Sequence, residues 1–140
     1  MRKDGSAKAA ASLRDAAFAA MENAYAPYSN FRVGAAIQAS DGSIVAGCNV
    51  ENAAYGEALC AERVAIAAAV AQGIKSFDEI AIASESDDPS PPCGSCRQTM
   101  SEFAPDLRIT SYAKNGKQTT WRLGDLLPEA FALNHLRGRM

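Results

Sequence analysis

Cys60-Ala61-Glu62-Arg63, answered further along by Pro92-Cys93-Gly94-Ser95-Cys96-Arg97, is the stretch on which the reading of this chain turns. Three cysteines form a zinc ligand set, because zinc takes thiolates in a tetrahedron and a catalytic site keeps one of four positions for water. From Leu59 to Gln72 the chain is rich in Ala, Val and Ile, lacks Pro and Gly, and stops at Gly73. That pattern predicts a buried helix with Cys60 in its first turn. Cys93 to Phe103 follows Pro91-Pro92 and ends before Ala104-Pro105, which predicts a second helix beginning close to its two cysteines. Both helix N-termini would then aim free N–H groups and positive dipole ends at the thiolates. Glu62, two residues beyond Cys60, projects at a different angle and can reach across the open position. There it could take a proton from activated water and hand it to a leaving group.

Two plainer readings compete. A Cys-x-x-Cys can be redox-active, and a set of cysteines can hold a structural zinc. A structural site usually needs a fourth ligand, yet Cys48 ends a strand-like run and the sole histidine, His135, lies in the last helical segment. Neither explains Glu62. Cys48 reads as a small buried apolar residue. Three thiolates on a divalent cation leave a net charge of about minus one and a weakened Lewis acid. Arg63 follows Glu62 and Arg97 follows Cys96, so both could compensate by donating to cysteine sulfurs.

Working outward, Ala9 to Ala24 reads as an amphipathic helix and Tyr25 to Asn30 as a proline-containing loop. Arg32 to Ala39 and Ile44 to Cys48 flank Asp41-Gly42, a hairpin signal. Glu79 to Ser84 is a short apolar strand, and Glu85 to Pro92 an acidic, proline-rich loop leading to the second cysteine pair. Leu107 to Ala113 and Gln118 to Leu123 flank Asn115-Gly116 as two further strands, and the segment from Gly124 is helical in part. This order predicts an α/β unit, a central sheet covered by helices on both faces. The pairing of the last two strands stays open at this level.

With 140 residues and 48% hydrophobic content, the chain has enough apolar material for one domain, 1–140, with a real core. Fourteen Lys and Arg against sixteen Asp and Glu give a net charge of −2 without a basic cluster. That argues against nucleic acid, whose phosphates need clustered cations. The alanine-rich start is interrupted by Lys8, Arg14, Asp15 and Glu22, and no run is long enough to span a membrane. A cytoplasmic protein is expected, consistent with thiols kept reduced as metal ligands.

Four segments together resemble the small homotetrameric cytidine deaminases. They are Tyr25-Ala26-Pro27-Tyr28-Ser29-Asn30-Phe31-Arg32-Val33-Gly34-Ala35-Ala36, Gly47-Cys48-Asn49-Val50-Glu51-Asn52-Ala53-Ala54-Tyr55, Cys60-Ala61-Glu62-Arg63 and Pro92-Cys93-Gly94-Ser95-Cys96-Arg97-Gln98. The likeness extends into Leu126-Leu127-Pro128-Glu129-Ala130-Phe131 and so covers nearly the whole chain. It implies a three-layer α/β/α fold with a five-stranded mixed sheet. It also implies one zinc per subunit on Cys60, Cys93 and Cys96, with Glu62 as general acid and base. The implied reaction is hydrolytic deamination of cytidine and 2′-deoxycytidine to uridine and 2′-deoxyuridine, as in pyrimidine salvage. By the same resemblance Phe31 packs on the pyrimidine, Asn49 and Glu51 bind the ribose hydroxyls, and backbone around Ala61 and Cys60 meets the base's polar edge. Tyr55 and Phe131 would line a neighbouring subunit's pocket, making the active site of a homotetramer intersubunit.

One segment departs from the family. Where these deaminases commonly read Tyr-Pro-Leu-Gly-Ile before the first ligand, this chain has Tyr55-Gly56-Glu57-Ala58-Leu59. Glu57 reads first as a solvent-facing residue at a helix start, favourable to the dipole there. Inside a pocket it would disfavour anionic ligands. Two other functions stay open: deamination of a modified cytosine nucleoside or nucleoside antibiotic, and a non-catalytic zinc module.

Overall fold

The computed structural model describes the backbone of residues 2–137 and the side chains of 12–136. In chain order the elements are α1 (Arg2–Met21), β1 (Val33–Ala39), β2 (Ile44–Cys48), a 3₁₀ turn (Tyr55–Glu57), α2 (Ala61–Ala71), β3 (Phe77–Ser84), α3 (Gly94–Phe103), β4 (Arg108–Tyr112), β5 (Gln118–Arg122), α4 (Leu123–Leu126) and α5 (Leu133–Arg137). The five strands form one mixed sheet in the order β2-β1-β3-β4-β5. β1 pairs antiparallel with β2 and β3, β3 parallel with β4, and β4 antiparallel with β5. The last pairing is the one that the sequence pattern left open.

β3 is central because both its faces are apolar: Ile80, Ala81, Ile82 and Ala83 are all buried. A strand covered on both sides reads as a continuous apolar run rather than an alternating one. The two faces still differ. Ile80 and Ile82 join Ile37, Val45 and Ile109 in a core shared with α2 and α3. Ala36, Ala81 and Ala83 face Leu13, Ala17 and Met21 of α1. The result is three layers, with large side chains filling one interface and alanines letting α1 lie close to the other.

Two glycines show how close these helices come. A Cβ on Gly34 would sit 2.0 Å from the Ala17 carbonyl oxygen, and one on Gly47 would sit 2.6 Å from the Ala65 amide nitrogen. α1 therefore touches β1, and α2 touches β2, backbone to backbone.

α1 ends at Met21, three residues before the expected end. The amides of Glu22, Asn23 and Ala24 bond three residues back, and Tyr25 N–H is already taken by the Asn49 carbonyl at 3.0 Å. Its start lies at Arg2, upstream of the expected Ala9. Both cysteine-bearing helices also start later than their signals suggested, α2 by two residues and α3 by one. Cys60 and Cys93 are extended N-caps, so Cys60 precedes the first turn of α2 and does not lie within it. The cause for Cys60 is pairing: Leu59 and Val50 exchange hydrogen bonds of 2.9 and 3.0 Å, which holds the chain extended up to the ligand. α2 closes with Ile74 N–H on the Ala69 carbonyl and Gly73 N–H on that of Val70, the Schellman arrangement expected of a glycine stop.

Candidate active site

The N-termini of α2 and α3 meet on the side of the sheet opposite α1, and they bring Cys60, Cys93 and Cys96 together. The three sulfurs lie within 4.8 Å of one another. Cys60 Sγ is 3.9 Å from Cys93 Sγ, and Cys93 Sγ is 3.4 Å from Cys96 Sγ. Ligands about 2.3 Å from a tetrahedral zinc are separated by about 3.8 Å, so the donor set suits that ion. All three ligand atoms of the cluster are sulfurs; Cys48 and His135 are not among them. Cys48 is half-buried at the end of β2, and His135 Nδ1 accepts the Ala132 amide at 3.0 Å.

Cys60 and Cys96 are shifted in opposite directions. The Cys60 pKa falls to about 5 because Cys96 donates to its sulfur and Arg63 faces it. Its hydrogen bond to Cys60, its burial and the nearby Glu62 carboxylate together push Cys96 up. Adjacent thiolates repel, and a divalent cation is what allows all three to ionise together.

Glu62 sits in the first turn of α2 and is only 6% exposed. Burial raises its pKa, and the charge on Cys60 adds to that. A carboxyl raised in this way holds a proton more readily than a solvated one, which suits general acid-base work.

Arg63 Nη2 lies 3.2 Å from the Ala58 carbonyl oxygen and 3.9 Å from Cys60 Sγ. Its charge thus faces the sulfur cluster. Arg97 differs from expectation. Its Nε donates to the Pro92 carbonyl at 2.8 Å and its Nη1 to that of Leu126 at 3.1 Å. With the guanidinium spent on backbone, it braces the turn into α3 and does not donate to a sulfur.

A cavity of about 290 Å³ opens onto the sulfurs, and Phe31, Asn49, Glu51, Cys60, Ala61, Glu62 and Cys93 all line it. Asn49 and Glu51 do more than face it. Asn49 Oδ1 accepts the Val33 amide and its Nδ2 donates to the Phe31 carbonyl, both at 2.9 Å. Glu51 Oε1 accepts the amides of Tyr28 and Ser29 at 3.0 and 3.1 Å, and Oε2 accepts the Ser29 hydroxyl. With Asn30 in the left-handed region at φ 56°, these bonds turn the chain and present Phe31 to the cavity.

Tyr55 and Phe131 are not in this cavity. Tyr55 is 78% exposed and packs edge-on to Tyr28, while Phe131 is 58% exposed and stacks on His135. Glu57 also stays outside, exposed in the 3₁₀ turn, whereas its neighbours Ala58 and Leu59 line the wall. Sequence reasoning missed Val33, Ile82, Ser90 and Pro91 on the lining. Ser90-Pro91 could have been found from adjacency to Cys93; Ile82 carries no signal beyond that of a core strand.

A buried carboxyl beside three sulfurs, at the floor of an open cavity on a three-layer α/β/α frame, defines a metal-dependent hydrolytic centre rather than a closed structural zinc. Comparison with known proteins narrows this. The family described as "Cytidine and deoxycytidylate deaminase zinc-binding region" matches residues 8–111, and the chain belongs to it. A cytidine deaminase of Sporosarcina psychrophila is 43% identical over 120 residues, covering 84% of this chain and 87% of that one. The crystal structure of cytidine deaminase from Burkholderia pseudomallei superposes with a TM-score of 0.83 at 49% identity, over 86% of this chain and 97% of that one. That from Mycobacterium tuberculosis does so at 0.76 and 42%, over 86% and 95%. The fold is that of these enzymes, and the three cysteines fit one zinc per chain.

Proposed function

We propose that the protein hydrolyses cytidine and 2′-deoxycytidine to uridine and 2′-deoxyuridine, releasing ammonia. The observation that carries this is that buried Glu62 lines one cavity with Cys60, Cys93, Phe31, Asn49 and Glu51. Zinc held by Cys60, Cys93 and Cys96 would supply a Lewis acid that makes water a nucleophile at neutral pH.

The chain's own groups do the rest. Phe31 offers an aromatic wall to a flat base. Free N–H groups at the start of α2, around Ala61, face the base's polar edge. Asn49 and Glu51 keep unused donor and acceptor capacity for ribose hydroxyls. Glu62 takes a proton as water adds to C4 and delivers it to N3. It then carries a second proton to the amine as the C4–N bond breaks. Arg63 offsets the excess negative charge of the thiolates.

Two carboxylates and no cationic side chain among the described residues line the cavity. This favours a nucleoside over deoxycytidylate, whose phosphate would meet unpaired negative charge. One domain carries all these groups. Free thiols used as metal ligands fit a reducing cytoplasm and a role in pyrimidine salvage. No helix among the described residues is long and apolar enough to cross a membrane.

Ultraviolet absorbance of zinc-loaded protein with cytidine, deoxycytidine, deoxycytidylate, cytosine and adenosine tests the proposal. Conversion of the two cytosine nucleosides is expected. Glu62→Gln should stay folded and zinc-loaded while losing kcat by about 10²-fold or more. Substantial residual activity there would remove Glu62 from its role, and unchanged rate and zinc content in Arg63→Ala would remove Arg63.

A further inference from the structure

We propose that Arg32 and Glu85 form a tie between the two sides of the cavity mouth, and that Arg32 is a positioning residue for nucleoside binding. The inference rests on the deaminase reading above. Arg32 lies between Phe31 and Val33, both on the cavity lining. Glu85 follows the end of β3 and opens the loop that leads to Ser90 and Pro91, on the lining as well, and then to Cys93.

The two residues meet through three hydrogen bonds. Arg32 Nε and Nη2 donate to Glu85 Oε2 at 3.1 and 2.9 Å, and the Arg32 amide donates to Oε1 at 2.8 Å. Arg32 Nη1 also donates to Glu22 Oε2 at 2.9 Å, just beyond α1. One guanidinium therefore links the end of α1, the segment that carries Phe31 and the loop that carries Ser90-Pro91. A planar fork held between two carboxylates has a fixed direction as well as charge, which a lysine would lack.

The far side of the same loop is fixed independently. Lys114 and Lys117, on the β4–β5 hairpin, pair with Asp87 and Asp88 at 3.6 and 3.4 Å, and Asn115 Nδ2 donates to the Asp87 carbonyl at 2.9 Å. The loop is thus held at both ends of its acidic stretch. Among the described residues, only the Arg32 end ties it to the Phe31 wall by hydrogen bonds.

Arg32 touches neither the sulfurs nor Glu62 and is placed to act on the width of the mouth rather than on chemistry. Steady-state kinetics of the zinc-loaded protein separate these effects. Arg32→Ala should raise KM for cytidine about two- to fivefold, the scale of a partly exposed charged pair, with kcat unchanged. Arg32→Lys should recover only part of the loss, and Glu85→Gln should raise KM without a further rise when combined with Arg32→Ala. Arg14→Ala, which removes an exposed pair on α1, is the control and should change nothing. Amide hydrogen exchange should accelerate in residues 28–33 and 86–92 together when Arg32 is replaced.

Unchanged KM in Arg32→Ala would overturn the tie, as would a fall in kcat that tracks zinc loss and thermal stability. If the wild type fails to convert cytidine, the deaminase reading fails. The exchange measurement then still decides the tie, and acceleration confined to residues 28–33 would sink it.

Discussion

Glu51 combines two duties in one carboxylate. It lines the cavity, and it accepts two amides and a hydroxyl from Tyr28 and Ser29. The hydroxyl bond from Ser29, reinforced by the backbone amides, holds its pKa below the ordinary carboxylate range. A group whose folded pKa is depressed stabilises the fold above its unfolded pKa, and that contribution drains away as pH falls through the folded value. Thermal melts from about pH 6 to about pH 3 should therefore lose Tm less steeply in Glu51→Gln than in the wild type. Parallel curves would show that these bonds do not favour the charged form. Glu85 is lowered in the same way by Arg32, so the slope that remains in Glu51→Gln is expected to shrink further when Glu85→Gln is added.

At the scale of elements, α2 matters most because Cys60 caps its start and Glu62 sits in its first turn. Its height above the sheet is set at Gly47, where an added Cβ would lie 2.6 Å from Ala65 N and 3.0 Å from Ala61 O. Both neighbours are backbone and cannot swing aside. Gly47→Ala should therefore cost about 1–3 kcal/mol in chemical denaturation and weaken zinc retention by displacing Cys60. Stability and zinc content equal to wild type would show that α2 can ride higher at no cost. Much of this was legible in sequence. The Gly73 stop, the prolines before Cys93 and the two hairpin glycines fixed where elements turn, and the cysteine spacing located the site. Arg32–Glu85 was not legible, because an arginine inside Phe-Arg-Val carries no local mark of a partner 53 residues away. The start of α2 was misread by two residues for a related reason. Val50 pairing with Leu59 is a tertiary constraint that outweighs the helix propensity of the Leu59 segment.

At the scale of the molecule, Tyr25, Tyr28, Val50, Tyr55, Leu59 and Phe131 are all substantially exposed. We propose a homotetramer in which Tyr55 and Phe131 of one subunit close the cavity of another, since neither reaches its own. Native mass spectrometry should give four chains, and Phe131→Ala should raise KM while leaving zinc content intact. A monomer with full activity would contradict the arrangement. The bonds that Asn49 and Glu51 make to residues 28–33 have a consequence for how such an enzyme can change. The groups that the proposed reaction assigns to the sugar are also the props of the wall it assigns to the base. A substitution chosen to admit an altered sugar would therefore blur recognition of the base, and compensating changes would have to arise in the Tyr28 to Val33 turn before the new preference became useful. Directed evolution toward other sugars should accordingly enrich paired changes across these two segments rather than single ones.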